Sequence, residues 1–162
     1  MSAPSSDVKT VGLVRRARAG DAPAVAALYA ELVANPAIDV QPARLAEIEA
    51  DPRAALLVFE HAGELLGTVL VALCADAMFA GRPFAVAENI VVAAHARGRG
   101  IGAALLREAE RFCLAADCSK LMLLSAAQRA DAHAFFERLG YDGARKRGFV
   151  KYRAAFDGAG AR

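Results

Sequence analysis

The apolar residues of this chain change period at residue 100. Before it, residues 56–61, 65–73 and 84–93 are three apolar runs of strand length, parted by the turn-forming stretches Ala62-Gly63 and Ala80-Gly81-Arg82-Pro83. After it, Ile101, Leu105, Phe112 and Ala116, with Leu106, Ala109 and Cys113 alongside, line one broad face, while Arg107, Glu108, Glu110 and Arg111 take the other. A β-meander therefore passes into an amphipathic helix, and a buried-type strand at residues 120–125 follows that helix. Strand, crossover helix and strand in one sheet make a parallel pair, so the sheet is mixed and the class is α/β.

The flanks extend the pattern. Residues 11–17 read as a short strand. Gly20-Asp21-Ala22-Pro23 opens a helix that Asp21 can cap, Val25, Leu28, Tyr29 and Leu32 recur at helical spacing, and Asn35-Pro36 stops it. A second short helix follows Pro42, with Leu45 and Ile48 on one face. Toward the C-terminus, residues 131–139 form a helix with Ala132, Phe135, Phe136 and Leu139 inward, ended by Gly140, and strand material surrounds Phe149-Val150-Lys151-Tyr152. With 162 residues, 56% of them hydrophobic, one continuous core suffices. Residues 10–156 are expected to form a single domain between flexible tails at 1–9 and 157–162.

Charge and cysteine usage narrow the partners. A net charge of +2 offers no strong field, so neither nucleic acid nor an anionic membrane is expected as a partner. The most apolar stretch, residues 65–80, is interrupted by Gly67, Thr68 and Asp76, and the N-terminal residues lack the pattern of an export signal. Cys74, Cys113 and Cys118 are odd in number and lack paired spacing, which fits reduced thiols in the cytoplasm. They and His61, His95 and His133 show no metal-ligand spacing, so no metal is expected.

The junction between meander and helix, Arg97-Gly98-Arg99-Gly100-Ile101-Gly102, carries the chemistry. A glycine-rich turn at a helix N-terminus exposes backbone N–H groups that no intrahelical carbonyl can reach, and the helix dipole adds positive charge there. Gly98, Gly100 and Gly102 let a bulky anion approach, and Arg97 and Arg99 can add charge-assisted hydrogen bonds. The alternative is an ordinary connection made soluble by Gly and Arg. Gly98-x-Gly100-x-x-Ala103 formally satisfies the dinucleotide fingerprint, but three strands precede it and the next strand ends at Ser125 without the required acidic residue. No Gly-Lys-Ser/Thr follows, which excludes a Walker loop.

Glu88-Asn89-Ile90-Val91-Val92, then the glycine loop, then an amphipathic helix, resembles the signature segment of the GNAT superfamily of acyl-CoA-dependent N-acyltransferases. That family's loop reads Arg/Gln-x-x-Gly-x-Gly/Ala, and Arg97, Gly100 and Gly102 occupy those places. The later run from Asp131 through Phe135-Phe136 to Gly140-Tyr141 is similar to the family's second motif, a helix with a Phe-Tyr pair leading into Gly-Phe or Gly-Tyr. The resemblance implies a mostly antiparallel mixed sheet of six or seven strands, with a central parallel pair that splays apart, flanked by about four helices.

It also implies a chemistry. Acetyl-CoA would lie in the splay as cosubstrate, its pantetheine arm along Val91 and Val92 and its pyrophosphate on the N–H groups of Arg97, Gly98, Arg99, Gly100, Ile101 and Gly102. A backbone N–H near Val91 would polarise the thioester. Glu88, the one charged residue in the largely apolar run 84–92, is the candidate base, since a buried carboxylate is costly unless paired or functional. The other reading makes it an outward-facing or ion-paired residue, and strand alternation would aim Asn89 to the opposite side. The chain departs from the family in having Phe136 where many members carry an acidic tyrosine, so Tyr141 is the candidate acid, with Tyr152 also near in sequence. Tyr29 would line the acceptor pocket, and Arg145, Lys146 and Arg147 would favour an anionic group there if they face it. The expected activity is acetyl transfer to a primary amine of a small metabolite, with a homodimer allowed. A noncatalytic acyl-CoA-binding or protein-interaction module of the same fold is the alternative.

Overall fold

The expected meander is present in the computed structural model, which describes residues 11–157. The chain divides into two compact units, one ending at Leu123 and the other starting at Leu124. In the first unit, β1 (Leu13–Arg16), β2 (Ala54–His61), β3 (Glu64–Cys74), β4 (Phe84–Val92) and β5 (Leu121–Leu123) form one sheet in that order. Helices α1 (Ala22–Leu32) and α2 (Pro42–Ala50) fall between β1 and β2, and α3 (Ile101–Ala115) is the crossover from β4 to β5. Neighbouring strands are antiparallel except β4 and β5. The second unit holds α4 (Ala130–Arg138) and a short 3-10 turn, Arg153–Ala155. No helix among the described residues is long and apolar enough to cross a membrane.

Two buried clusters hold the first unit together. Leu57, Phe59, Val69, Val71, Ala85 and Ala87 of the sheet pack with Ile101, Leu105, Ala109 and Cys113 of α3, which is the face the helical period marks out. Leu56 and Val58, whose side chains alternate to the other side of β2, pack with Val25 of α1 and Leu45 of α2. Burial of these side chains is the main stabilising term, at about 1.5–3 kcal/mol for each large aliphatic one.

Among the described residues five strands, not six or seven, make up the sheet. The residues around Phe149-Val150-Lys151-Tyr152 form no strand, because no described strand pairs with them, and Phe149 and Tyr152 remain 88% and 79% exposed. Apolar alternation there satisfies a local preference that no ladder completes. Four helices, a mixed sheet and the parallel pair are as expected.

Asp21 departs from its expected role. It stands at the N-cap position of α1 but gives that helix no side-chain cap. Its carboxylate instead accepts from both terminal nitrogens of Arg15, at 2.7 and 3.0 Å, and from the Arg18 N–H at 2.7 Å, while Arg15 Nε reaches Glu60 at 2.7 Å. Arg15, above all, holds the Asp21 carboxyl below its ordinary range. A depressed carboxyl stabilises the fold fully above its unfolded pKa, about 4, and loses that contribution as pH falls from there through the folded value. Asp21→Asn should therefore cost about 1–3 kcal/mol at pH 7, the range for hydrogen bonds to charged groups. The deficit should shrink as pH falls below about 4 in urea denaturation; a deficit independent of pH would assign it to packing.

Candidate functional site

The site is built where β4 ends and α3 begins. The parallel ladder pairs Ala85 with Leu121, Val86 with Met122 and Ala87 with Leu123. β4 then runs on to Val92, and among the described residues no strand pairs with it on that side beyond Ala87. Apart from the Val92 carbonyl, which accepts from Arg97 Nε, the backbone groups of that edge have no strand partner, the arrangement an extended ligand needs. On the other side β4 stays bonded to β3 through Thr68–Val91 and Gly67–Val92.

Within this pairing the register slips. Leu70 pairs with Glu88 and Thr68 with Val91, so Asn89 and Ile90 together oppose Val69, and Asn89 takes a left-handed backbone, φ 54°. This β-bulge interrupts the regular pleating on which the expected side of Asn89 was based. Burial raises the phenol of Tyr29 on α1 above its ordinary value, against a smaller, opposing influence of the Asn89 side chain. Glu88 is exposed rather than enclosed, so its case as a base rests on its place beside the bulge and not on desolvation.

Beyond Val92 the backbone is anchored twice. The Ala93 N–H bonds the Leu66 carbonyl at 2.9 Å, and the Ala94 N–H donates to the carboxylate of Glu31 on α1 at 2.7 Å. A single 3-10 turn, Ala94–Ala96, with Ala96 fully buried, then delivers the loop. Arg97 Nε donates to the Val92 carbonyl at 3.2 Å. Gly98 and Gly100 both have positive φ, 74° and 80°, and Gly100 sits at the N-cap of α3 without any side-chain cap. Among the described residues, the N–H groups of residues 98–103 donate to no backbone carbonyl or side chain. They form a nest of free donors on the positive end of a 15-residue helix.

The site depends on a residue that the motifs did not single out. A Cβ on Gly67 would lie 3.0 Å from the Val91 carbonyl oxygen and 3.1 Å from both Ile101 and Leu105. Glycine on β3 lets the first turn of α3 close onto β4. Its signal in the sequence is a glycine inside an apolar strand run. Gly67→Ala should destabilise the protein by about 1–3 kcal/mol, as overpacking does; a variant with an unchanged denaturation midpoint would show that the helix start gives way freely. Glu31 gave no such signal, because its role is set by a contact 63 residues along the chain.

Tyr29, Glu88, Val91, Val92 and residues 97–102 thus all belong to the first unit, gathered around β4 and its exit. Tyr141 belongs to the second. There its ring meets that of the buried Phe136 edge-on, at 6.2 Å between centroids, and its N–H bonds the Phe136 carbonyl at 3.1 Å.

Comparisons with known proteins bear on this geometry. The sequence model of the Acetyltransferase (GNAT) family matches residues 25–141. Among curated proteins none matches the chain. Among solved structures, a provisionally named acetyltransferase from Agrobacterium tumefaciens is 29% identical with a TM-score of 0.78, over 86% of this chain and 99% of that one. Glucosamine-6-phosphate N-acetyltransferase from Arabidopsis thaliana is 18% identical with a TM-score of 0.77, over 88% and 98%. AAC(6')-Iy, solved with the bisubstrate analogue CoA-S-monomethyl-acetylneamine, is 16% identical with a TM-score of 0.75, over 88% and 99%. The last two likenesses are of fold.

Proposed function

The chain belongs to the acetyltransferase (GNAT) family, and from that footing we propose that it transfers an acetyl group from acetyl-CoA to the primary amine of a small molecule. The observation that carries this reading is the row of unpaired N–H groups at residues 98–103, set beside the open edge of β4. A diphosphate needs several donors without competing acceptors, and an arm with two amides needs a strand edge. This unit offers both within one turn of chain.

Each residue then has a task. The amides of residues 98–102, with the side chains of Arg97 and Arg99, hold the diphosphate. The β4 edge at Val91 and Val92 aligns the arm, and an N–H close to Val91 supports the charge that grows on the thioester oxygen. The acetyl donor supplies an activated carbonyl and a thiolate leaving group. Glu88, exposed at the position where the ladder to β5 has ended, takes a proton from the acceptor's ammonium, directly or across one water, and so frees the lone pair that attacks the thioester. Tyr141 is the proposed proton donor to the departing sulfur. A thiolate can also leave unprotonated, so turnover does not require it.

Three free cysteines, with the Cys113 thiol pushed by burial up to about 12, support a reducing cytoplasm as the setting. A second reading, an acyl-CoA-binding module without catalysis, draws on Phe136, which has no hydroxyl where many family members have one.

Calorimetric titration with acetyl-CoA, followed by thiol release across a panel of amino sugars, aminoglycosides, polyamines and amino acids, separates the two. Binding with turnover on at least one amine is expected. Binding without turnover on any would leave the module, and absence of binding would remove both.

A further inference from the structure

The peptide between Ala93 and Ala94 is where the chain leaves β4 and enters the turn that delivers the glycine loop. Ala93 has φ −49° and ψ 135°, outside the helical region, and the 3-10 turn begins with the next residue. Both polar ends of this peptide are held. Its carbonyl accepts from the Ala96 N–H at 2.9 Å, and its N–H donates to Glu31 Oε2 of α1 at 2.7 Å. Ala93 offers no side-chain cap, so the acceptor that the first N–H of a turn lacks is supplied from 63 residues earlier in the chain.

The core sets Glu31 on this peptide. Leu28, one turn earlier on the same helix face, lies in the buried cluster with Val91, Ala93 and Ala96, and Leu28, Glu31, Ala93 and His95 line one cavity. The turn has a second carboxylate contact, His95 Nε2 to Glu64 at 3.2 Å, but with side chains 59% and 63% exposed that pair adds little. The free amides begin at Gly98, only four residues after Ala94. A negative charge so few residues from a cradle for a diphosphate works against the anion, so any gain from Glu31 must come through its hydrogen bond. We infer that Glu31 is a positioning residue for the acyl donor: by fixing the Ala93–Ala94 peptide it sets the direction in which residues 97–102 leave the sheet, and with it the aim of their amides. The inference rests on the proposed acetyl-CoA binding for its consequence and on the clamped peptide alone for its structure.

Three variants read both. Glu31→Leu removes the acceptor oxygen and keeps the aliphatic stem, Glu31→Gln removes the charge and keeps an acceptor oxygen, and Glu64→Gln alters the other carboxylate. In calorimetric titration, Glu31→Leu should weaken acetyl-CoA binding roughly fivefold to tenfold, the scale of one hydrogen bond to a charged group. Glu31→Gln and Glu64→Gln should each bind within about twofold of the unaltered protein. At saturating acetyl-CoA, kcat and the KM for the amine should stay within about twofold in Glu31→Leu, because the loss falls on donor binding alone. In parallel, hydrogen exchange followed by NMR should show the Ala94 amide losing protection in Glu31→Leu and keeping it in Glu31→Gln. Unchanged affinity in Glu31→Leu, equal weakening in both Glu31 variants, or an Ala94 amide equally protected in all of them would each overturn the inference. If the unaltered protein binds no acetyl-CoA but Ala94 loses protection in Glu31→Leu alone, the proposed reaction fails while the hold of Glu31 on the turn stands.

Discussion

Gly100→Val is expected to weaken acetyl-CoA binding by about 10- to 100-fold. Gly100 occupies φ 80° at the N-cap of α3. A residue with a Cβ pays roughly 1–2 kcal/mol to stay left-handed, and branching at Cβ makes the conformation a true outlier. The loop escapes that strain by rotating the peptides on either side of residue 100, which turns the N–H groups of residues 100 and 101 away from the nest. The loss thus combines strain with missing donors. Gly100→Asn, which tolerates the same φ, should retain affinity within about threefold. Calorimetry on both variants decides: equal weakening would show that side-chain bulk and not backbone geometry controls the loop, and no weakening would place the diphosphate elsewhere.

Glu88→Gln should lower kcat with the preferred amine by about 10²- to 10⁴-fold, the usual span for general base catalysis, while acetyl-CoA affinity stays unchanged. The amide keeps the size of the side chain and, at an exposed position, leaves the fold alone. The pH profile is the sharper readout. With no base on the enzyme, the amine must lose its own proton, so the variant should recover as pH climbs toward the amine's pKa, about 10 for an alkylammonium. The unaltered protein should level off at lower pH. A Glu88→Gln variant with unchanged kcat and an unchanged profile would remove Glu88 from the chemistry and leave base duty to solvent or to another group.

How far the sequence could be read varies with the range of the forces involved. The hairpin of β2 and β3, the long face of α3 and the glycine loop each depend on neighbours within a few residues, and each lies close to its expected place. The strand expected around Phe149-Tyr152 failed because a strand exists only with a partner, which local alternation does not supply. Asp21 was read as a helix cap, since residue type and position favour that; a guanidinium six residues earlier competes for the same oxygens and wins with two charge-assisted bonds. Asn89 was assigned to the far side of the strand by a rule that holds for regular pleating, and the bulge breaks that regularity at this residue.

From its residues alone, then, this chain specified an α/β sheet, a helix with a charged outer face, and a loop able to leave its amides free, because period, glycine and helix polarity act at short range. Tertiary structure alone decided where β4 loses its parallel partner, that Gly67 must be small, and that Glu31 meets the Ala94 N–H across 63 residues of sequence. Those outcomes follow from which distant surfaces touch, and contact between distant surfaces is settled by the packing of the whole unit rather than by any segment's own preference.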